Sequence, residues 1–138
     1  MVAHCVAALL LLSVIHSDLA HDPTVRGALW KLLEDAHYGH AEMEEAMFIV
    51  RGTDGVLSFV RWHPTGAAHQ AQWNAAVPQG TIAIAHTHPN TLPRPSTNDI
   101  RTAMQANLPV YVVTRTKITK TSGGETSVVL KGEWGGAT

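Results

Sequence analysis

The sequence predicts an α/β (α+β) domain with a single mixed β-sheet flanked by two main helices. Three observations carry this expectation. Two short apolar runs, Thr81 to Ala85 and Val110 to Thr114, have the length and composition of buried strands. Two longer stretches carry helix signals, one over Asp22 to about His40 and one over Ser96 to Leu108. A Thr53-Asp54-Gly55 turn separates two alternating apolar segments, which is a hairpin pattern. Helices and strands interleaved in this way pack as layers around one sheet.

The elements follow in order. Asp22 is placed to cap the first helix, with Pro23 at its first position. Val25, Leu29, Leu32, Leu33 and Ala36 recur at helical spacing, and Gly39 is a plausible stop. Ala46 to Arg51 reads as a strand, and Val56 to Trp62 as its returning partner. In the latter, Val56, Ser58, Val60 and Trp62 share one face and Leu57, Phe59 and Arg61 the other. His63 to Pro78 is irregular, with Pro64, Gly66 and Pro78 marking loops. Asn90 to Pro95 is a proline loop, and Ser96 caps the second helix. Ile118 to Lys120 and Thr126 to Lys131 form a hairpin around Ser122-Gly123-Gly124. The tail from Gly132 to Thr138 has the composition of an exposed terminus.

The totals bound the function. A chain of 138 residues, 45% apolar and 15% charged, has room for one core of ordinary size. Its formal net charge is −1, and its basic residues are scattered without a dense run, which argues against nucleic acid or anionic lipid as a partner. Cys5 is the sole cysteine, so a disulfide framework and a Cys-rich zinc finger are both excluded. Any metal site here is built from His, Asp and Glu.

The apolar run from Cys5 to Ile15 is too short to span a bilayer comfortably and suits the core of a secretory signal peptide. No Lys or Arg precedes it and no clean A-x-A site follows; cleavage after Ser17 or after Ala20 both fit. Residues 1–20 are therefore expected to form a bacterial leader and 21–138 the mature domain, secreted or periplasmic and without a transmembrane anchor. The alternative is a buried N-terminal helix of a cytoplasmic protein.

The chemistry concentrates in Ala85 to Ile100, AHTHPNTLPRPSTNDI. His86 and His88 stand two apart at the end of a strand, so both imidazoles project from one face. Pro89 ends the strand, and Asp99 falls in the first turn of the following helix, where a carboxylate is favoured. Prolines between them let the helix fold back over the strand end. His, His and Asp with an open fourth position is a catalytic zinc geometry, whereas structural zinc fills all four positions with protein ligands. His-x-His alone is common by chance, and Ser-x-x-Asp alone is most simply a helix cap; their joint spacing carries the argument.

His86-Thr87-His88-Pro89, six residues, then Ser96-Thr97-Asn98-Asp99 matches the H-x-H-P-x6-S-x-x-D signature without a gap. In this the chain resembles the JAMM (MPN+, JAB, Mov34-type) zinc metallohydrolases, and the prokaryotic type in particular. The resemblance implies a JAB/MPN-like, cytidine-deaminase-like architecture. It implies one Zn²⁺ per chain on His86, His88 and Asp99, with Ser96 donating to an oxyanion and an upstream glutamate as acid and base. Glu42, Glu44 and Glu45 are on offer. Glu45 lies seven residues before Gly52, similar to the family's E-x6-G arrangement, and is the first choice; Glu44 is second, since a one-residue slip reverses the face. All three can also be a solvated acidic turn.

The implied mechanism uses zinc to lower the pKa of a water to roughly 7 and to polarise a carbonyl. Glu45 would take the water proton and pass it to the leaving amine. The Ser96 hydroxyl, as oxyanion donor, would contribute about 3 kcal/mol, against about 1 kcal/mol for capping alone. The expected activity is therefore hydrolysis of a peptide, isopeptide or related amide bond by a metallopeptidase. Two alternatives stand beside it: a catalytically silent MPN-like binding module, and a zinc amidohydrolase acting on small or cell-wall-derived amides. Arg94, Trp62, His63, His69 and Trp73 are candidates for a cleft, though a solvated arginine, core tryptophans and surface histidines explain them as well. His37 and His40 suit a helix end and take no metal role.

Overall fold

The computed structural model describes residues 17–40, 44–62, 73, 75–90 and 94–135. The apolar run from Cys5 to Ile15, together with Glu42, His63 and His69, lies outside the described residues. Helix α1 spans Pro23–Asp35 and helix α2 spans Thr97–Ala106. Six strands accompany them: β1 Ala46–Arg51, β2 Leu57–Arg61, β3 Thr81–Thr87, β4 Val110–Val113, β5 Lys117–Ser122 and β6 Glu125–Lys131. They form one sheet in the order β2-β1-β3-β4-β5-β6. Only β3 and β4 are parallel; every other neighbouring pair is antiparallel. The expected mixed sheet with two helices is thus observed.

Side-chain alternation sorts the core onto the two sheet faces. Met47 and Ile49 of β1 and Ala83 and Ala85 of β3 join Val25, Leu29, Leu32 and Leu33 of α1 in one buried cluster. Phe48 and Val50 of β1, Ile84 of β3 and Val110 of β4 join Ala103 of α2 in the other. Leu57 and Phe59 pack on the first cluster, and Val60 and Trp62 on the second, as the alternation in β2 predicts. Trp62 and Trp73 both stack against Phe48, with ring centroids 5.2 and 5.0 Å away, so these tryptophans are core-forming.

Two expectations are corrected. The first helix ends at Asp35 and does not run to His40. His37, Tyr38 and Gly39 all have positive φ (53°, 55° and 79°), and three left-handed residues in succession cannot continue a right-handed helix. This turn is held against the loop after β3: the Asn90 backbone N–H donates to Gly39 O at 3.0 Å, and Asn90 Nδ2 donates to Tyr38 O at 3.1 Å. The C-terminal tail is the second case. Trp134 is buried, stacks edge-on against Trp30, and donates its indole N–H to Thr114 O at 2.9 Å. Composition could not show that one aromatic side chain anchors an otherwise glycine-rich tail.

At the other end, the Asp18 carboxylate accepts from Ala20 N (2.8 Å), Lys120 Nζ (2.8 Å) and the Tyr111 hydroxyl (3.1 Å). Burial works to raise the Asp18 pKa, but the Lys120 and Ala20 hydrogen bonds outweigh it and hold the carboxyl below its usual value. Among the described residues, no helix is long and apolar enough to cross a membrane.

Candidate metal centre

The parallel pairing of β3 with β4 determines where the site forms. A parallel connection needs a crossover, here α2, and the crossover returns its N-terminus to the C-terminal end of β3. That edge is the usual place for ligands in α/β sheets. His86 is the penultimate residue of β3 and His88 follows the strand directly. Both share the face of Ile84, the α2 side. Ser96 caps α2 and accepts from Asp99 N at 3.1 Å; the Asp99 carboxylate accepts from Ser96 N at 2.6 Å. This capping box pins Asp99 in the first turn with its carboxylate over the strand end.

Asp99 reaches both imidazoles. Its Oδ1 is 2.8 Å from His86 Nε2 and its Oδ2 is 3.2 Å from His88 Nε2. The side chains of His86, His88 and Asp99 are 11%, 7% and 10% exposed. Burial alone would raise the Asp99 pKa. Hydrogen bonds from His86 and His88, reinforced by the charge of His86 and by the Ser96 backbone N–H, reverse this and hold it far below the usual carboxylate range. Asp99 is thus held as a carboxylate among nearly buried side chains.

The register of β1 against β3 settles which glutamate faces the histidines. Ala46 pairs with His86. Continuing the antiparallel pairing puts Glu45 opposite Thr87 and Glu44 opposite His88, and Thr87 N indeed donates to Glu45 O at 2.9 Å. Opposed residues share a face. Glu44 accordingly stands 3.8 Å from His86 Nδ1 and 4.0 Å from His88 Nε2. The ligand atoms of Glu44, His86 and His88 all lie within 4.8 Å of one another, so these three residues can hold a metal ion. Glu45 projects from the opposite face, where its carboxylate accepts from Arg61 Nη2 at 3.0 Å. The structure therefore brings together His86, His88, Asp99 and Glu44, and it does not bring Glu45, the first choice from the sequence, to this cluster. Sequence spacing missed this because every residue from Ala46 to Val50 is buried, which leaves no polar alternation to mark the faces.

The donor chemistry fits a divalent metal such as zinc: imidazole and carboxylate are the ligand types of catalytic zinc, and the ligand atoms of Glu44, His86 and His88 lie within 4.8 Å of one another. Ser96 is exposed to solvent at the N-terminus of α2, three residues before Asp99. It accepts through a lone pair in the capping box, which leaves its hydroxyl proton to donate elsewhere. Arg94, in the proline loop, is exposed to solvent. Neither His37 nor His40 takes part in the metal-type cluster found among the described residues.

Residues 25–129 match the family model Prok-JAB, described as prokaryotic homologs of the JAB domain. No curated protein and no solved structure matches the chain.

Proposed function

Since the chain belongs to the Prok-JAB family of prokaryotic homologs of the JAB domain, we propose that it is a zinc-dependent hydrolase of a peptide, isopeptide or related amide bond. The observation that carries this reading is the buried convergence of two imidazoles and two carboxylates at unequal distances. Asp99 lies 2.8 Å from His86 Nε2 and 3.2 Å from His88 Nε2, whereas Glu44 lies 3.8 Å from His86 Nδ1 and 4.0 Å from His88 Nε2. The closer carboxylate suits a ligand. The one that stands off suits a group acting across a water.

In this reading His86, His88 and Asp99 hold one zinc ion. Bound there, zinc supplies a Lewis acid and brings the pKa of a water near 7. Glu44, and not Glu45, accepts the proton of the attacking water and delivers it to the leaving amine, as a general base and then a general acid. The Ser96 hydroxyl donates to the oxygen on which negative charge develops. The capping box does not compete with this, because it uses the Ser96 lone pair and backbone N–H. The basic residues of the chain are scattered without a dense run, which favours a peptide or amide substrate over nucleic acid. If the N-terminal apolar run is a leader, the substrate is extracytoplasmic, and small or cell-wall-derived amides join peptides as candidates.

Metal content of the purified protein by elemental analysis, beside His86→Ala/His88→Ala, tests the centre. One zinc per wild-type chain, lost in the double variant, is expected. Glu44→Gln should retain zinc and lose hydrolysis in a screen of peptide, isopeptide and amide substrates, while Glu45→Gln, whose amide oxygen can still accept from Arg61, retains zinc and most of the hydrolysis. A wild-type protein that takes up no zinc would overturn the hydrolase reading and leave a partner-binding module.

A further inference from the structure

Glu44 and Glu45 are chemically identical neighbours at the start of β1. A slip of one residue would exchange their faces and put the wrong carboxylate at the metal centre. Hydrophobic patterning does not prevent this, because both faces of β1 are buried. The β1–β2 hairpin and the β1–β3 ladder set the register of the strand as a whole; at its first residues, before Ala46, the structure contains further contacts suited to fix which way each glutamate turns.

Glu45 is held from three directions. Its N–H donates to Thr87 Oγ1 at 3.0 Å, its carbonyl accepts from Thr87 N at 2.9 Å, and its carboxylate accepts from Arg61 Nη2 at 3.0 Å. Thr87 lies between the two histidines and faces away from them, so its hydroxyl closes the strand pairing at that point without touching the site. Arg61 is itself held: Nη1 donates to Asp35 Oδ2 of α1 at 3.0 Å. Among the described residues, the Asp35 and Glu45 carboxylates are the hydrogen-bond partners that orient the guanidinium. Arg61 thus ties Glu45 to the α1 layer, the face opposite the metal centre.

We propose that Arg61 and Thr87 are positioning residues: by holding Glu45 on the α1 face, they keep Glu44 turned toward His86 and His88. This rests on the proposed role of Glu44 and adds the residues that enforce it. Neither touches the reacting atoms.

The test loads the full-length protein with Co²⁺, whose visible absorption reports the groups around the ion. Glu44→Gln defines the spectral change that follows when its carboxylate is lost. Arg61→Met and the near-isosteric Thr87→Val should each retain about one cobalt per chain and reproduce at least half of that change. Arg61→Lys should restore most of the wild-type spectrum. Wild-type spectra in both Arg61→Met and Thr87→Val, with Glu44→Gln shifted, would overturn the inference and leave the proposed function standing. An unshifted Glu44→Gln spectrum, or a wild type that binds no cobalt, would overturn the role of Glu44 and this inference with it. Thr87→Val keeps the test decisive if Arg61→Met fails to fold.

Discussion

Ser96 does two separable jobs, and two substitutions can divide them. Its side chain caps α2 through the 3.1 Å bond from Asp99 N, and its hydroxyl is proposed to donate to an oxyanion. Ser96→Ala removes both. The lost cap costs about 1 kcal/mol, within a range of roughly 0.5–2, which corresponds to a fall in Tm of about 3–5 °C for a domain of this size. Ser96→Gly also removes the hydroxyl, but glycine at the cap position costs only a few tenths of a kcal/mol. Its Tm should therefore lie within about 1–2 °C of wild type. In both variants the Ser96 backbone N–H remains to hold the Asp99 carboxylate, now bonded at 2.6 Å, so zinc content should not change. Both should lose about 10²–10³ in kcat, the effect of deleting one oxyanion donor. Thermal unfolding followed by circular dichroism, with steady-state kinetics on any substrate the screen yields, reads the two effects separately. Equal melting temperatures for the Ala and Gly variants would refute the capping argument. A kcat within threefold of wild type in both would refute the oxyanion role.

Three further outcomes follow from the geometry. Zinc at about 100 times its Kd should stabilise the protein by about 2.7 kcal/mol in thermal unfolding, and His88→Ala should abolish that gain; an equal gain in the variant would place the ion elsewhere. Gly80 has φ +85°, and a Cβ there would lie 2.5 Å from Arg51 O, so Gly80→Ala should lower the urea-unfolding free energy by about 1–3 kcal/mol; a loss under about 0.5 would be too small for this strain. Asp18 has a folded-state pKa below its ordinary 3.8, so its charge stabilises the fold above about pH 4 and that contribution is lost as pH falls lower. Asp18→Asn keeps an acceptor for the Ala20 N–H but removes the charge facing Lys120, so the stability gap to wild type, measured in urea at pH 7, 4 and 3, should narrow on acidification; a gap independent of pH would contradict the linkage.

Much of this protein was legible in its sequence. The two apolar runs of β3 and β4, the Asp22-Pro23 helix start and the Ser96 cap are local signals, in which the residue that makes the contact is also the one that marks it. The same holds for His86, His88 and Asp99: strand geometry aligns the two histidines, and one capping box seats the aspartate. The limits of α1 and of the tail were not legible, because they depend on Asn90 and on Trp134 meeting partners far along the chain.

Which glutamate faces the histidines shows most clearly what only the tertiary structure could decide. The spacing to Gly52 pointed to Glu45, and periodicity gave no sign of the faces in a strand buried on both sides. Which face each glutamate takes depends on the pairing of Ala46 with His86, and that register is held by Thr87 and by Arg61 reaching back from β2. The sequence by itself determined which residue types are present and which local elements carry them. The direction in which a side chain at a buried strand end points is a property of its neighbours across the sheet, and only the assembled fold supplies those neighbours.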